Sequence, residues 1–312
     1  MKYLIFGNGQ IANFYKNYFE RLGDEVLISN ADIKSIEQIR ESIKGFGPDV
    51  VINTAAKTNL EWCGENRLEA FNVNVLGAGN IAQACDEEKI YLVHFSSGCI
   101  FSSKNADDEK FEDSQPNPSS YYGWTKVWSE EIVNFERSPE FKCLILRPRQ
   151  PVSAQLSPKN MLVKMLTFSK FIDTPNSGTV IEDLMICTKQ LVEMGATGIY
   201  HVANTGWTTP YDIGLLIKKY IINDIEFEKI EKAELDKLTP NTRVDTILNV
   251  DKLKSVGISV TDYKTRLEQI VKELGDNIKK TDKDEVRRIL EETAAASKQR
   301  TTLNEQFERL YN

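Results

Sequence analysis

MKYLIFGNGQIA, residues 1–12, decides the fold. Tyr3–Phe6 is a short apolar run that stops at a glycine, and Ile11–Leu22 then carries apolar residues at helical spacing. A strand passing through a glycine turn into a helix is the opening unit of a doubly wound α/β sheet. The turn reads G-x-G-x-x-A through Gly7, Gly9 and Ala12. Glycines let a backbone turn tightly and approach a pyrophosphate, whose charge the following helix N-terminus stabilises. The apolar run is too short for an export signal, so we read it as a first strand.

Outward from there, strands are expected at Met1–Phe6, Glu25–Ser29, Val50–Asn53, Leu92–Phe95 and Cys143–Arg147. Helical stretches separate them at Ile11–Leu22, Ile36–Lys44, Arg67–Glu87 and Tyr121–Phe135. The alternation predicts an α/β fold with a Rossmann doubly wound parallel sheet over residues 1–150, its ligands outside the carboxyl ends of the strands. Beyond residue 150 the pattern loosens into a loop (Pro148–Pro158), a helical run (Lys159–Phe171), a helix at Leu184–Met194 and a strand at Gly198–Val202. Thr209 and Pro210 mark a further helix start. We expect a smaller substrate-binding domain over 151–275, partly interleaved with the first, and a charged helical tail over 276–312. The tail's apolar residues are Val286, Ile289, Leu290, Leu303, Phe307 and Leu310.

Composition narrows the function. With 312 residues, 41% of them hydrophobic and 27% charged, the chain can bury a large core as one domain or two interlocked ones. A net charge of −7 and the lack of a basic cluster argue against nucleic-acid binding. No apolar run is long enough to span a bilayer. The five cysteines are scattered without a C-x-x-C pair, and His94 and His201 have no partner at ligand spacing. A cytoplasmic protein without disulfides or a metal site is the expectation.

Two short stretches carry chemistry. In YYGWTK (121–126), Tyr122 and Lys126 stand four apart and share a helix face. An ammonium beside a phenol favours phenolate, so the pair is expected to lower the Tyr122 pKa and make it a usable proton donor. FSSGCIF (95–101) follows an apolar strand and places Ser96, Ser97 and Cys99 where ligands bind. A lone cysteine after a strand is most often a small buried hydrophobe.

Together, the glycine turn, a serine at the end of the fourth strand and Y-x-x-x-K resemble the extended short-chain dehydrogenase/reductase family. INTAAKT (52–58), FNVNVLGAGNIA (71–82) and ADI (31–33) are similar to its cofactor-side segments. The resemblance implies that Ser97 and Tyr122 bind the substrate oxygen and that Lys126 holds the nicotinamide ribose and tunes Tyr122. It further implies cofactor contacts from Gly7, Gly9, Gln10, Ile11, Asp32, Ile33, Ala55, Ala56, Asn74, Tyr122 and Lys126. NADPH is the cofactor expected by resemblance, with NADH next.

Within the family, YGWTK and PDVVINTAA resemble dTDP-4-dehydrorhamnose reductase. The cysteine resembles two bifunctional relatives more, GDP-fucose synthase with S-S-C-I-Y there and the nucleotide-rhamnose synthase, a 3,5-epimerase/4-reductase acting on UDP-4-keto-6-deoxyglucose, with T-G-C-I-F, and the second likeness extends further. LEWCGENRLEAFNVNVLG, LRPRQPVSAQLSPKNMLVKM, IDTPNSGTVIEDLM, GIYHVANTG and RVDTILNVDKL resemble segments of that enzyme in the same order, over roughly residues 1–260. That likeness implies Cys99 and Lys164 as the epimerisation pair and Arg149 and Arg243 as substrate contacts. A lysine acting as base must lose its proton near neutral pH, through burial or a neighbouring cation.

The leading expectation is a bifunctional enzyme converting a UDP- or dTDP-linked 4-keto-6-deoxyglucose to the L-rhamnose nucleotide. A 4-reductase alone is the narrower reading. A non-catalytic NADP-binding regulatory subunit is the reading from another class. The partner expected is the nucleotide sugar, with a homodimer as the assembly entertained and neither nucleic acid nor membrane involved.

Overall fold

The structure, a computed structural model, describes residues 1–135, 137–238, 243–295 and 310. Its first layer begins at β1 (Lys2–Phe6), which is almost wholly buried, as a strand covered on both faces must be. There follow α1 (Gln10–Arg21), β2 (Glu25–Ser29), α2 (Ile36–Phe46), β3 (Val50–Asn53), α3 (Leu60–Glu65), α4 (Arg67–Phe71), α5 (Gly77–Glu87), β4 (Tyr91–Phe95), β5 (Glu109–Lys110), α6 (Tyr121–Asn134) and β6 (Cys143–Arg147). A π-helical turn, Asn72–Leu76, joins α4 to α5, so the expected helix Arg67–Glu87 is three pieces end to end. Local chemistry explains the helix limits. The Ser35 side chain caps α2 by accepting from Gln38 N, and Gly47 ends it at φ +63°.

The central sheet runs β2-β1-β3-β4-β6-β10, every neighbouring pair parallel, with β10 at Gly198–His201. Strand order reverses between β1 and β3, which opens the crevice where such sheets bind ligands. Gly7 lies at that crevice with φ +107°, and a Cβ there would stand 2.7 Å from Thr54 Oγ1 and 2.8 Å from Ala55 N. Only glycine lets the turn after β1 approach the loop after β3 so closely.

The second half weaves back into this sheet before building its own core. After β7 (Pro151–Val152), α7 (Met161–Met165), β8 (Lys170–Ile172) and β9 (Thr179–Val180), helix α8 (Ile181–Glu193) returns to pack on α1, and β10 joins the sheet edge. Then come α9 (Pro210–Tyr220), β11 (Glu228–Ile230), α10 (Lys232–Leu238), β12 (Ile247–Leu248), α11 (Asp251–Ser255), α12 (Tyr263–Lys280) and α13 (Lys283–Ala295). The second core gathers α7, α9, α12 and α13. The expected helical run Lys159–Phe171 is only the five-residue α7. Thr167 Oγ1 donates back to Lys164 O at 2.7 Å, and the chain then pairs as β8 with β11.

The expected break between residues 275 and 276 falls inside α12, an unbroken helix of 18 residues. Val286, Ile289 and Leu290 of α13, with Leu310, are buried in the second core beside Leu267 and Ile270. Residues 276–295 are therefore structural members of the second lobe; Leu303 and Phe307 lie outside the described residues. No helix among the described residues is long and apolar enough to cross a membrane. Leu290→Ala should cost about 2–5 kcal/mol of folding stability. A lowered urea midpoint with an unchanged slope would bear this out, whereas an unaltered midpoint would place α13 outside the cooperative unit.

Candidate active site

The site forms where β4 ends. Ser96 N donates to Leu146 O and Gly98 N to Pro148 O, both at 2.8 Å, so the chain leaves the sheet still tied to β6. It then makes a 3-10 turn, Gly98–Ile100, capped by Ser97, whose Oγ accepts from Cys99 N at 3.1 Å. Ser97 is buried while Cys99 is half-exposed, the only one of the five cysteines that is not buried. Helix α6 comes down on this turn. Ser120 caps it by accepting from Gly123 N at 3.1 Å. A Cβ on Gly123 would lie 3.0 Å from Cys99 O and 2.6 Å from Pro118 Cβ, so glycine here lets helix and turn meet.

Tyr122 and Lys126 follow on the same helix, both buried. The Tyr122 phenol hydrogen-bonds with Ser97. Lys126 Nζ donates to the Phe95 carbonyl at 2.5 Å. Burial pushes the Lys126 ammonium down to about 8, with Glu130 and Cys99 opposing. The expected lowering of the Tyr122 pKa is not what the structure gives. Burial raises it well above the ordinary phenol value and Cys99 raises it further, with the Ser97 bond pulling the other way. Desolvation of the phenolate outweighs a lysine that is itself aimed at a carbonyl. The phenol is thereby held protonated, the state from which a proton can be given to a substrate oxygen.

A buried polar thread positions this pair. Asn53 Nδ2 meets His94 Nδ1 at 3.1 Å, His94 Nε2 meets Ser129 Oγ at 3.1 Å, and Ser129 Oγ donates to Lys126 O at 2.8 Å. Burial, then the Lys126 charge, holds His94 well below its ordinary pKa, so it is neutral. Asn74, expected at the cofactor, sits in the π-helical turn. It donates to Lys57 O at 2.9 Å and Thr125 Oγ1 at 3.0 Å and accepts from Lys57 N at 2.7 Å, tying the loop after β3 to α6.

Of the other expected cofactor contacts, Gly7 lies at the crevice, and beyond the chain neighbours of Gly9 no atom of the described residues lies within 4 Å of the place its Cβ would take. Gln10 and Ile11 open α1, and Gln10 Nε2 is buried without a partner. Ala55 N donates to Asn53 Oδ1 at 3.1 Å, with Ala56 next along the same loop. Ile33 is buried, and a Cβ on Gly77 would stand 2.6 Å from its Cδ1. Asp32 is exposed and accepts from Lys34 N at 3.0 Å.

The second lobe supplies the rest. Lys164 is half-buried on α7, where Asn160 caps the helix and anchors it by donating to Ser153 O at 2.8 Å and Gln155 O at 2.7 Å. Burial and then the Arg243 charge lower the Lys164 pKa. Arg243 Nη2 reaches across to Glu61 Oε1 of α3 at 2.7 Å. Arg149, expected as a substrate contact, is 3% exposed and points inward. It donates to Cys99 Sγ at 2.9 Å, to Asn176 Oδ1 at 2.7 Å and to Val244 O. Cys99, Arg149 and Val244 are thus in one chain of contacts, and Arg243 beside Val244 leads to Lys164. Sequence reasoning passed over Glu61, Asn160, Asn176 and the Asn53–His94–Ser129 thread. Glu61 and Asn176 stand in LEWCGENRLEAFNVNVLG and IDTPNSGTVIEDLM, stretches read as segments without assigning their polar residues.

Lys126 gives the site a signature in stability. Below about pH 8 the folded and unfolded chains both carry its proton, and the buried charge costs the fold in full. Between about 8 and the ordinary 10.5 the folded chain has released a proton that the unfolded chain retains, so stability rises with pH. Lys126→Met should flatten that rise by up to roughly 3 kcal/mol. Unfolding free energies of the two proteins across this window test it, and parallel curves would refute it.

A model of the RmlD substrate binding domain family matches residues 1–275. The bifunctional dTDP-4-dehydrorhamnose 3,5-epimerase/dTDP-4-dehydrorhamnose reductase of Arabidopsis thaliana is 27% identical over 265 residues, covering 81% of this chain and 86% of that protein. The crystal structure of the L780 UDP-rhamnose synthase from Acanthamoeba polyphaga mimivirus superposes with a TM-score of 0.81 at 24% identity, covering 88% of this chain and 99% of that one. dTDP-4-dehydrorhamnose reductase from Bacillus anthracis str. Ames, in complex with NADP, gives a TM-score of 0.77 at 21% identity over 86% of this chain and 98% of that one. With most of its length matched and the same parallel sheet, the chain belongs to the RmlD substrate binding domain family.

Proposed function

We propose that the chain is an NADPH-dependent 3,5-epimerase/4-reductase that converts a UDP- or dTDP-linked 4-keto-6-deoxyglucose to the L-rhamnose nucleotide. The observation that carries this reading is the placement of Cys99. It is the half-exposed cysteine, one 3-10 turn from the Ser97–Tyr122 pair that would bind the C4 oxygen. A reductase needs the two hydroxyls; an accessible thiol beside them suits chemistry at the neighbouring carbons.

The glycine turn fits a dinucleotide. Gly7 lets the turn close on the loop after β3, Gly9 leaves open space for a pyrophosphate at the start of α1, and the unpartnered Gln10 Nε2 is a donor available at that end. NADPH, when bound, supplies the hydride for C4. Lys126 would hold the ribose beside the nicotinamide, and the loop Thr54–Ala56 would flank it.

In the sugar, the protons on C3 and C5 are acidic because each adjoins the C4 carbonyl. Inversion requires one group to take a proton from one face and another to return one to the opposite face. Cys99 and Lys164 serve as those groups. Lys164, its ammonium destabilised by burial and then by Arg243, gives up its proton more readily than a free lysine does. Ser97 and Tyr122 hold the C4 oxygen throughout, and the protonated Tyr122 gives it a proton as C4 is reduced. Arg243, joined to Glu61 of α3, would meet the diphosphate side of the substrate.

Incubation of the chain with UDP-4-keto-6-deoxyglucose and NADPH in deuterated water should give a reduced rhamnose product carrying deuterium at C3 and C5. Turnover without deuterium at those carbons would leave a 4-reductase only, and no turnover with either nucleotide would sink the enzyme reading. Tyr122→Phe should slow C4 reduction by about 100- to 10,000-fold, the range for loss of a positioned acid. Equal rates in the variant and the parent would remove Tyr122 from the chemistry.

A further inference from the structure

The arginine that would meet the substrate's diphosphate is already engaged in the folded chain. Arg243 Nη2 donates to Glu61 Oε1 at 2.7 Å, and among the described residues Glu61 is the carboxylate that pairs with it. The two stand 182 positions apart, one on α3 and one on the segment leading to β12. That segment enters the site: the carbonyl of the next residue, Val244, accepts from Arg149, which reaches Cys99 Sγ at 2.9 Å. Helix α3 enters it as well. Its Cys63 shares an apolar cluster with Tyr122, against which Leu60, Trp62 and Cys99 pack. The ion pair therefore joins two segments that each touch the residues around Cys99.

Its two members are held unequally. Helix α3 is tethered at several points. Asn59 caps it by accepting from Trp62 N at 2.8 Å, and Cys63 Sγ donates to Lys57 O at 3.3 Å. Lys57 is itself gripped by Asn74 through its N and O at 2.7 and 2.9 Å, and its Nζ lies 5.3 Å from the centre of the Trp62 ring. Glu61 sits in the first turn of α3, where a carboxylate suits the helix dipole, and its side chain is 23% exposed. The Arg243 side chain is 40% exposed. Arg147 grips both oxygens of Glu130, whereas the bond from Arg243 to Glu61 among the described residues is a single one. A half-exposed pair held by one bond is weakly stabilised. A diphosphate offers a guanidinium two anionic groups and several oxygens. Arg243 is thus the member free to change partners, and Glu61 remains as a fixed negative charge beside the incoming one.

We propose that Glu61 is a positioning residue that competes with the substrate's diphosphate for Arg243, so that the nucleotide binds there only by displacing the carboxylate. This deepens the function proposed above and rests on its diphosphate-linked substrate. A ligand without a diphosphate leaves the pair closed. The competition holds affinity for the nucleotide below what the arginine alone would give, and it acts on substrate and product alike because both carry the same diphosphate. The exchange is equal in the ground state and the transition state, so it sets KM and not the chemistry at the sugar ring.

Isothermal titration of the full chain with UDP and with dTDP reads the competition without turnover. Glu61→Gln keeps the size of the side chain and removes its charge, and it should tighten the nucleotide that binds by about 3- to 10-fold. Affinity for NADPH, whose diphosphate would lie at the start of α1, should not move, whereas a general loosening of α3 would shift both ligands. With UDP-4-keto-6-deoxyglucose the same variant should lower KM by a similar factor. Arg243→Gln should weaken the nucleotide by about tenfold. Equal or weaker nucleotide affinity in Glu61→Gln overturns the proposal, as does a parent chain that binds neither nucleotide. If Glu61→Gln does not fold, an Arg243→Gln variant that binds as the parent does overturns it alone. Tightening of UDP without turnover of the 4-keto sugar would instead sink the reductase reading and leave the competition standing.

Discussion

The bond from Lys126 to the Phe95 carbonyl fixes how the site is built. That carbonyl is the last of β4, at the point where the chain departs from the sheet, and an ammonium on α6 takes it. Burying a lysine is unfavourable, and the depressed Lys126 pKa records that cost. The placement offsets it geometrically by locking a helix to a strand end. One helical turn earlier lies Tyr122, which this contact sets against Ser97. Behind the lysine, Asn53, His94 and Ser129 carry the constraint from β3 through β4 into α6, so three neighbouring elements share one register. Such a thread is fully satisfied, the condition under which a buried polar network rigidifies rather than weakens a core.

Charge in this site is arranged by neutralisation elsewhere. Glu130 neutralises Arg147, Lys232 pairs with Asp245, and Glu61 meets Arg243. With those pairs closed, Lys126 and Arg149 are charges near Ser97 and Tyr122 that no ion pair among the described residues includes. Both are cationic, and both reach the chain where it leaves β4, Lys126 at the Phe95 carbonyl and Arg149 at the Cys99 sulfur. Electrostatic preorganisation of this kind is set by the fold before any ligand arrives.

Much of this was legible in the sequence, and the reasons are specific. The strands of the first half are apolar runs bounded by turns, so periodicity marks them, and the four-residue spacing of Tyr122 and Lys126 places them on one helix face whatever the packing. Several features were not legible. The run Lys159–Phe171 has helical composition, but Thr167 binds back onto Lys164 and Phe171 enters a strand pair with β11, a contact made far along the chain. The effect of Lys126 on Tyr122 depends on burial depth, which spacing does not encode; desolvation reversed the expected sign. The inward turn of Arg149 hangs on Gly98, Asn176 and Val244, contributed by three separate segments. The tail's apolar spacing announced an amphipathic helix, while the core that receives it is visible only once α7 and α12 are folded.

The same segment separation shapes how the site comes into being. β5 pairs with β12, Ile247 N donates to Ser103 Oγ across 144 residues of chain, and Thr246 Oγ1 donates to Phe101 O across 145. These pairings close the strap that carries Val244 onto Arg149. Contacts of such long range form late, because the loop entropy is lost before the contact is gained. A chain emerging from the ribosome therefore assembles its dinucleotide crevice and its Ser97–Tyr122 pair well before the Arg149 environment closes around Cys99. The second-lobe contacts around Cys99 are thus the last part of the site to form, and they form only when that lobe is in place.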